Sequence, residues 1–242
     1  MPSPSFENGS KPGATPLVGV GLYSLREAAG YTGIPSAQIG RWLFGYQAKG
    51  KNHKGLWQPA LTGLGEKTLT FHDLLEIRFV QAMRIHGVRL SSIRITAQLA
   101  RQRLEQTYPF SSPRFQADGR SIFAAVMEEI GDTSLIDLVH RQDAFRRVIS
   151  SSLYAGIDYD TAGKALRWFP LKRSKAVVLD PARHFGKPIL TQSGIATETI
   201  AAAFAAEGRN EKRVACLYQI PLSDVEAALR FQSTETGFGW KR

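Results

Sequence analysis

Cysteine is all but missing from this chain: Cys216 stands alone among 242 residues. One thiol excludes an intramolecular disulfide and a cysteine-built zinc site. Its surroundings, Arg-Val-Ala-Cys-Leu-Tyr-Gln-Ile, predict a buried helical position in preference to a reactive thiol. Histidine is scarce as well, five residues scattered along the chain, so no metal and no other cofactor is expected. Long apolar runs are absent, none approaching the ~20 residues that a membrane-spanning helix needs. The opening stretch MPSPSFENGSKPGATP lacks the continuous apolar core of a signal peptide. Its Pro, Ser, Gly and Asn predict a disordered leader over residues 1–21. Together these absences predict a cytoplasmic protein with no membrane partner.

Catalytic spacing is missing too. There is no His-Glu-x-x-His, no Gly-rich phosphate loop and no nucleophile elbow. An enzyme would have to draw on His184 beside Asp180 and Arg183, or on Asp118, Asp158 and Asp160, converging in a pocket. The plainer reading makes His184 a loop-shaping residue and the three aspartates turn or strand-end residues. No catalytic residue is assigned.

What the chain does have is positive charge. Lys and Arg number 31 against 21 acidic residues, a net charge of +10, which points toward a polyanionic partner. The excess is uneven: residues 1–105 carry 13 basic against 6 acidic side chains, residues 106–242 carry 18 against 15.

The more basic part opens with two helical signals. Ser24 and Glu27 have the Ser-x-x-Glu spacing of a capping box, Leu25, Ala28 and Ala29 supply an apolar face, and Gly30 to Gly33 stops the helix. Ile34-Pro35-Ser36 starts a second helix, on which Ile39, Trp42 and Leu43 make one buried stripe while Ser36, Gln38 and Arg41 point mainly away. Two short helices on a tight turn match a helix-turn-helix, whose second helix can lie in a DNA major groove. The following GYQAKGKNHKGLWQPAL reads as a basic hairpin flanked by Tyr46, Leu56 and Trp57, a wing able to touch phosphates. Trp42 and Trp57 are assigned to the core. On this reading Ser24, Ser36, Gln38, Arg41, Tyr46, Lys49, Lys51 and Lys54 contact double-stranded DNA. The lysines supply non-specific affinity, and Gln38 and Arg41 help distinguish bases.

Thr70-Phe71-His72-Asp73 caps a strong helix that ends at Gly87, and Ile93, Ala97, Ala100 and Leu104 mark the stripe of the next. Then the texture changes. Asp118-Gly119 sits between two strand-like runs, a hairpin signal, and TSLIDLVH reads as a strand. Ala162-Gly163 marks a second hairpin and KAVVLDP a further strand. With a helix at QDAFRRVISSSLYAG, residues 110–180 read as a small antiparallel sheet. Beyond Pro181 the chain reads as helical again, three short helices with a turn at Gln219-Ile220-Pro221 in a second helix-turn-helix-like bundle. The predicted fold class is mainly α with a small antiparallel β region.

Two stretches carry a resemblance. SLREAAGYTGIPSAQIGRWLFGY followed by LTFHDLLEIRFVQAMRIHGVRLSSIR resembles the MerR-type winged helix-turn-helix. In that family a second helix pair begins with a similar Thr-Phe-x-Asp-Leu and continues through Gly-Val-x-Leu-x-x-Ile. Gly40 stands at or beside a place where relatives often carry a phosphate-contacting Arg, with Arg41 adjacent. Residues 177–231, with Asp-Pro, Gly-Lys-Pro, Ser-Gly-Ile and a terminal helix after IPLSDV, resemble a small antitoxin-type domain once of unknown function. The whole arrangement is similar to the longer VapB-type antitoxins that join both modules.

The resemblance implies a non-enzymatic antitoxin of a type II toxin–antitoxin system, which neutralises a PIN-like ribonuclease toxin and binds operator DNA as an autorepressor. A homodimer or higher toxin–antitoxin assembly is expected, because operators mirror a protein's twofold symmetry. The expected domains are a leader (1–21), a MerR-like winged helix-turn-helix (22–108), a β-rich middle or dimerisation region (109–180), an antitoxin-type helical domain (181–231) and a tail (232–242). A PIN-like site concentrates carboxylates around a divalent metal and attracts cations. Phe238, Trp240, Lys241 and Arg242 are therefore the expected toxin-binding residues; the other reading frays the tail or folds its aromatics onto the chain's own core. The competing function is a MerR-like transcriptional regulator responding to a small-molecule effector, with the aromatic middle (LYAGIDYD, RWFP) as its pocket.

Overall fold

The computed structural model describes residues 19–48, 50–59, 61, 67–132, 135–140, 142–149, 151–171 and 174–235. Their fold is mainly α with small antiparallel sheets. Strand β1 (Tyr23–Ser24) leads into α1 (Leu25–Thr32) through the capping box that the sequence predicts. The Glu27 N–H donates to the Ser24 hydroxyl at 3.2 Å, and the Glu27 carboxylate accepts the Ser24 N–H at 2.8 Å. Both bonds satisfy backbone groups that a first helical turn leaves open. α2 (Ser36–Phe44) follows after Pro35, with Ile39, Trp42 and Leu43 buried as their spacing requires. β2 (Tyr46–Ala48) and β3 (Lys51–His53) pair antiparallel, and β4 (Thr68–Leu69) returns to pair with β1. A second capping box, Thr70 with Asp73, opens α3 (Phe71–Ile85), and α4 (Leu90–Leu104) buries Ile93, Ala97, Ala100 and Leu104.

The middle of the chain departs from expectation. Asp118-Gly119 is no hairpin turn: it lies inside α5 (Pro113–Ile130), capped by Ser112 and started by proline. Phe115, Gly119, Ile122, Phe123 and Val126 form its buried face, and the glycine is there for proximity. A Cβ on Gly119 would stand 3.0 Å from the Phe145 ring and 3.1 Å from that of Phe115. TSLIDLVH is not a strand either; Ile136–His140 is helix α6. Leu135 is buried and Val139 packs partly buried one turn on, the i, i+4 pairing of a helix. The helix expected at QDAFRRVISSSLYAG is two short ones, α7 (Gln142–Val148) and α8 (Ser151–Tyr154).

Strands resume where the second hairpin is expected: β5 (Ile157–Tyr159) pairs with β6 (Ala165–Trp168), and β7 (Val177–Leu179) extends the sheet. The chain does not turn purely helical after Pro181. β8 (Pro188–Leu190) completes the order β5-β6-β7-β8. Then come α9 (Thr197–Ala206), α10 (Glu211–Tyr218) and α11 (Leu222–Glu235). Cys216 is exposed, not buried. α10 turns Val214 to the core, and two residues further round the helix faces solvent.

A continuous apolar core links both ends of the described chain, from Tyr23 to Phe231. The Tyr23 hydroxyl donates to the Gly186 carbonyl at 2.8 Å, the Leu22 N–H donates to Phe185 O at 2.9 Å, and the Tyr31 ring lies 6.1 Å from Phe231. The loop that grips β1 is unusual: His184, Phe185 and Gly186 are consecutively left-handed, with φ of 46°, 54° and 83°. Two non-glycine residues in that region carry backbone strain.

Candidate nucleic-acid interface

α2 and the β2–β3 hairpin are consecutive in the chain and fastened to one another. The Leu56 N–H donates to Trp42 O at 2.7 Å, and Gly55 lies so close to the Leu43 carbonyl that a Cβ there would collide with it. Arg94, on α4, grips the foot of the hairpin from the other side, its Nη2 donating to Lys54 O at 2.8 Å and its Nε to Gly55 O at 3.4 Å. Beyond the foot, Trp57 is buried and donates its indole N–H to Asp73 Oδ1 at 2.8 Å. The hairpin is thus held by α2, α3 and α4, although every residue of β3 is exposed.

The positions predicted to meet DNA fall out as follows. Ser36 and Arg41 are exposed on α2 and Gln38 is half-buried. Ser24 is exposed, and its hydroxyl is committed to the α1 cap. Tyr46 is 40% exposed and stacks on His53 at 4.6 Å across the hairpin. Lys51 and Lys54 are exposed, and Lys51 pairs with Ala48 across the hairpin. Lys49 lies outside the described residues, as do Phe238, Trp240, Lys241 and Arg242. Gly40 is buried on the inner side of α2, where a Cβ would come 3.5 Å from Leu25.

Local sequence patterns give no sign of Arg94. It is an ordinary cation on α4, forty residues beyond the carbonyl it holds. His53 and Asn52, exposed on β3, and Lys67, with Nζ 5.5 Å from the Phe44 ring centre, extend the polar and basic surface that the wing lysines suggested.

The acid–base candidates do not converge. Asp160 accepts the N–H groups of Ala162 and Lys164, shaping the β5–β6 turn, and Asp158 is held by Arg167 and Lys175. Asp118 lies on α5, Asp180 caps its own loop through the Ala182 N–H, and His184 is exposed in the left-handed turn. Among the described residues no three His, Cys, Asp or Glu side chains are grouped to hold a metal ion, and no helix is long and apolar enough to cross a membrane.

Comparison with known proteins bears on both ends of the molecule. Residues 177–231, from β7 into α11, match the family described as Protein of unknown function (DUF433). The crystal structure of Rv2018 from Mycobacterium tuberculosis superimposes with a TM-score of 0.68 at 23% identity, covering 89% of this chain and 98% of that one, a likeness of fold. A protein named "Putative antitoxin VapB45", from Mycobacterium tuberculosis strain H37Rv, is 27% identical over 190 residues, 73% of this chain and 79% of its own length. Over most of its length, then, the chain is similar to a protein named as an antitoxin.

Proposed function

We propose that the chain is the antitoxin of a type II toxin–antitoxin system, neutralising a PIN-like ribonuclease and repressing its own operon through α2 and the hairpin. The observation that carries this reading is the similarity to a protein named as an antitoxin over 73% of the chain. The braced, basic hairpin beside α2 supports the DNA-binding half. On this reading the chain is cytoplasmic, non-enzymatic and dimeric on its operator, divided as the sequence divides it, at about 22–108, 109–180 and 181–231. Gln38 and Arg41 read bases; Lys49, Lys51 and Lys54 neutralise phosphates.

Two measurements test it. Each neutralised phosphate contributes roughly −0.9 to the slope of log affinity against log salt. Replacing the three hairpin lysines by Ala is expected to flatten that slope by roughly two to three while leaving the preferred operator unchanged; an unaltered slope removes the hairpin from the interface. Co-expression with a PIN-like ribonuclease partner is expected to yield a complex without RNase activity. Deleting residues 237–242 should weaken that complex and restore cleavage while operator binding persists. A truncated chain that still inhibits fully excludes the tail as the inhibitory element.

One observation favours the second reading, a regulator answering to a small effector. A cavity of about 530 Å³ opens between the α1–α2 turn and the β8–α9 segment, with Arg26, Tyr31, Pro35, Lys187, Glu198 and Gln232 in its wall. Operator affinity that changes on adding a small molecule, with no toxin present, would support that reading.

A further inference from the structure

Phe238 and Trp240 set two large aromatic rings in a stretch otherwise made of Thr, Gly, Lys and Arg, too polar to shelter them. They follow α11, which is described to Glu235. The last turns of α11 lie on the cavity beside the α1–α2 turn. Gln232 is part of the cavity wall, and the Phe231 ring packs 6.1 Å from that of Tyr31, also in the wall. The chain therefore leaves the described helix at the rim of a cavity.

Chain length permits a return. Gln232 to Glu235 is about 4.5 Å of helix. Extended backbone from Glu235 reaches about 10 Å to Phe238 and about 17 Å to Trp240. Glycine, at 237 and 239, tolerates the backbone conformations that a reversal beyond a helix end demands. The cavity suits what would arrive. Its volume of about 530 Å³ is that of a site for a drug-sized body. Ile34, Pro35 and Pro188 give it apolar wall, and Tyr31 an aromatic ring to pack on. Glu27 and Glu198 stand there with Arg26 and Lys187. Lys187 Nζ lies 3.4 Å from Glu198 Oε1, and both side chains are open to water. A carboxylate accepts several hydrogen bonds, so Glu198 has room for a second cation; Lys241 and Arg242 follow Trp240 directly. A segment tethered this closely is present at an effective concentration on the order of millimolar. Weak contacts then fill the site from within the chain before a dilute free molecule does.

We propose that the cavity between the α1–α2 turn and the β8–α9 segment is the docking site of the chain's own residues 236–242, with Phe238 and Trp240 inside and the following cations toward Glu198 and Glu27. The docking rests on neither reading of function: side chains seated there are withheld from a toxin until they leave, and a small effector would have to displace them. Fluorescence of the full chain, with no partner present, tests it. Trp42, Trp57 and Trp168 are buried, so subtracting the emission of a Trp240→Phe chain isolates Trp240. Acrylamide is expected to quench that emission several-fold less than it quenches a synthetic peptide of residues 236–242. Ala29→Leu puts bulk into the cavity wall. Glu198→Lys, at an exposed position, reverses a charge there without touching the core, and so keeps the test open where Ala29→Leu fails to fold. Release of Trp240 toward the peptide value in either folded variant supports the docking. Three results overturn it: a wild-type Trp240 as open as the peptide, shielding unchanged in every folded variant, or shielding lost on dilution, which would place the tail in a second copy.

Discussion

Glu76 shows how much one enclosed side chain can impose on the rest. Its carboxylate has no exposure and accepts the N–H groups of Phe110 and Ser111 at 3.2 and 2.7 Å, tying α3 to the start of α5. Burial pushes its pKa up to about 7, against the pull of those bonds and of the Arg101 charge. The folded protein therefore holds that proton more tightly than the unfolded chain does. The stability tied to it is complete below the ordinary value of 4.5 and is lost as pH rises through about 7. His72 works in the opposite sense. Burial, helped by the Lys164 charge, lowers its pKa to about 4, although the Ala165 carbonyl 3.1 Å from Nε2 pulls the other way. Its contribution is complete above 6.5 and is lost as pH falls through about 4. Urea unfolding at closely spaced pH values should thus give a wild-type curve that falls off on both sides. Glu76→Gln is expected to remove a decline on the order of 3 kcal/mol on the alkaline side, and His72→Gln to flatten the acid side. Identical slopes for wild type and Glu76→Gln from pH 5 to 8 would show that this carboxyl does not titrate there.

At the scale of elements, α5 and the β2–β3 hairpin teach opposite lessons about what sequence reveals. Both capping boxes and the α2 stripe were legible because a cap is a local exchange of bonds and a stripe is a local spacing. The hairpin was legible because its glycines and lysines sit between apolar flanks. Asp118-Gly119 misled for the same reason: that dipeptide is a turn signal wherever no distant surface overrules it. Phe145, which overrules it, lies on another helix. Gly119→Leu is accordingly expected to destabilise the fold by about 1–3 kcal/mol through overpacking; a neutral effect in chemical denaturation would argue against the packed-helix account. β8 was not legible because its three residues open with proline, which argues against a strand, whereas the equally buried β7 is valine-rich. On the hairpin itself, Arg94 was illegible since its partners are main-chain carbonyls, which any sequence supplies. Arg94→Lys keeps the charge but loses the two-nitrogen grip. Amide exchange in β2–β3 should quicken; unchanged exchange would mean that α2 and α3 steady the hairpin without Arg94.

For the molecule as a whole, the telling contacts are those that close β1 onto the 184–186 turn. Burial pushes the Tyr23 hydroxyl's pKa well above the usual tyrosine range, so it stays a neutral donor to Gly186. Tyr23→Phe leaves that carbonyl unpaired, a loss of about 1–3 kcal/mol. If the two ends brace each other, limited proteolysis should then release the C-terminal helices sooner. A cleavage rate equal to that of the wild type would limit the bond to a local role. The same bond also has a history, because its partners are 163 residues apart in the chain. At synthesis rates of about 5–20 residues per second, roughly 10–30 s separate the emergence of Tyr23 from that of Gly186. During that interval the helix pair that would read DNA can fold and β4 can pair with β1, but the 184–186 turn that closes over β1 does not yet exist. Each newly made molecule therefore passes through a stage in which its first module is present without the 184–186 turn against it. Any property that depends on the closed form begins only when the chain has been made past Gly186.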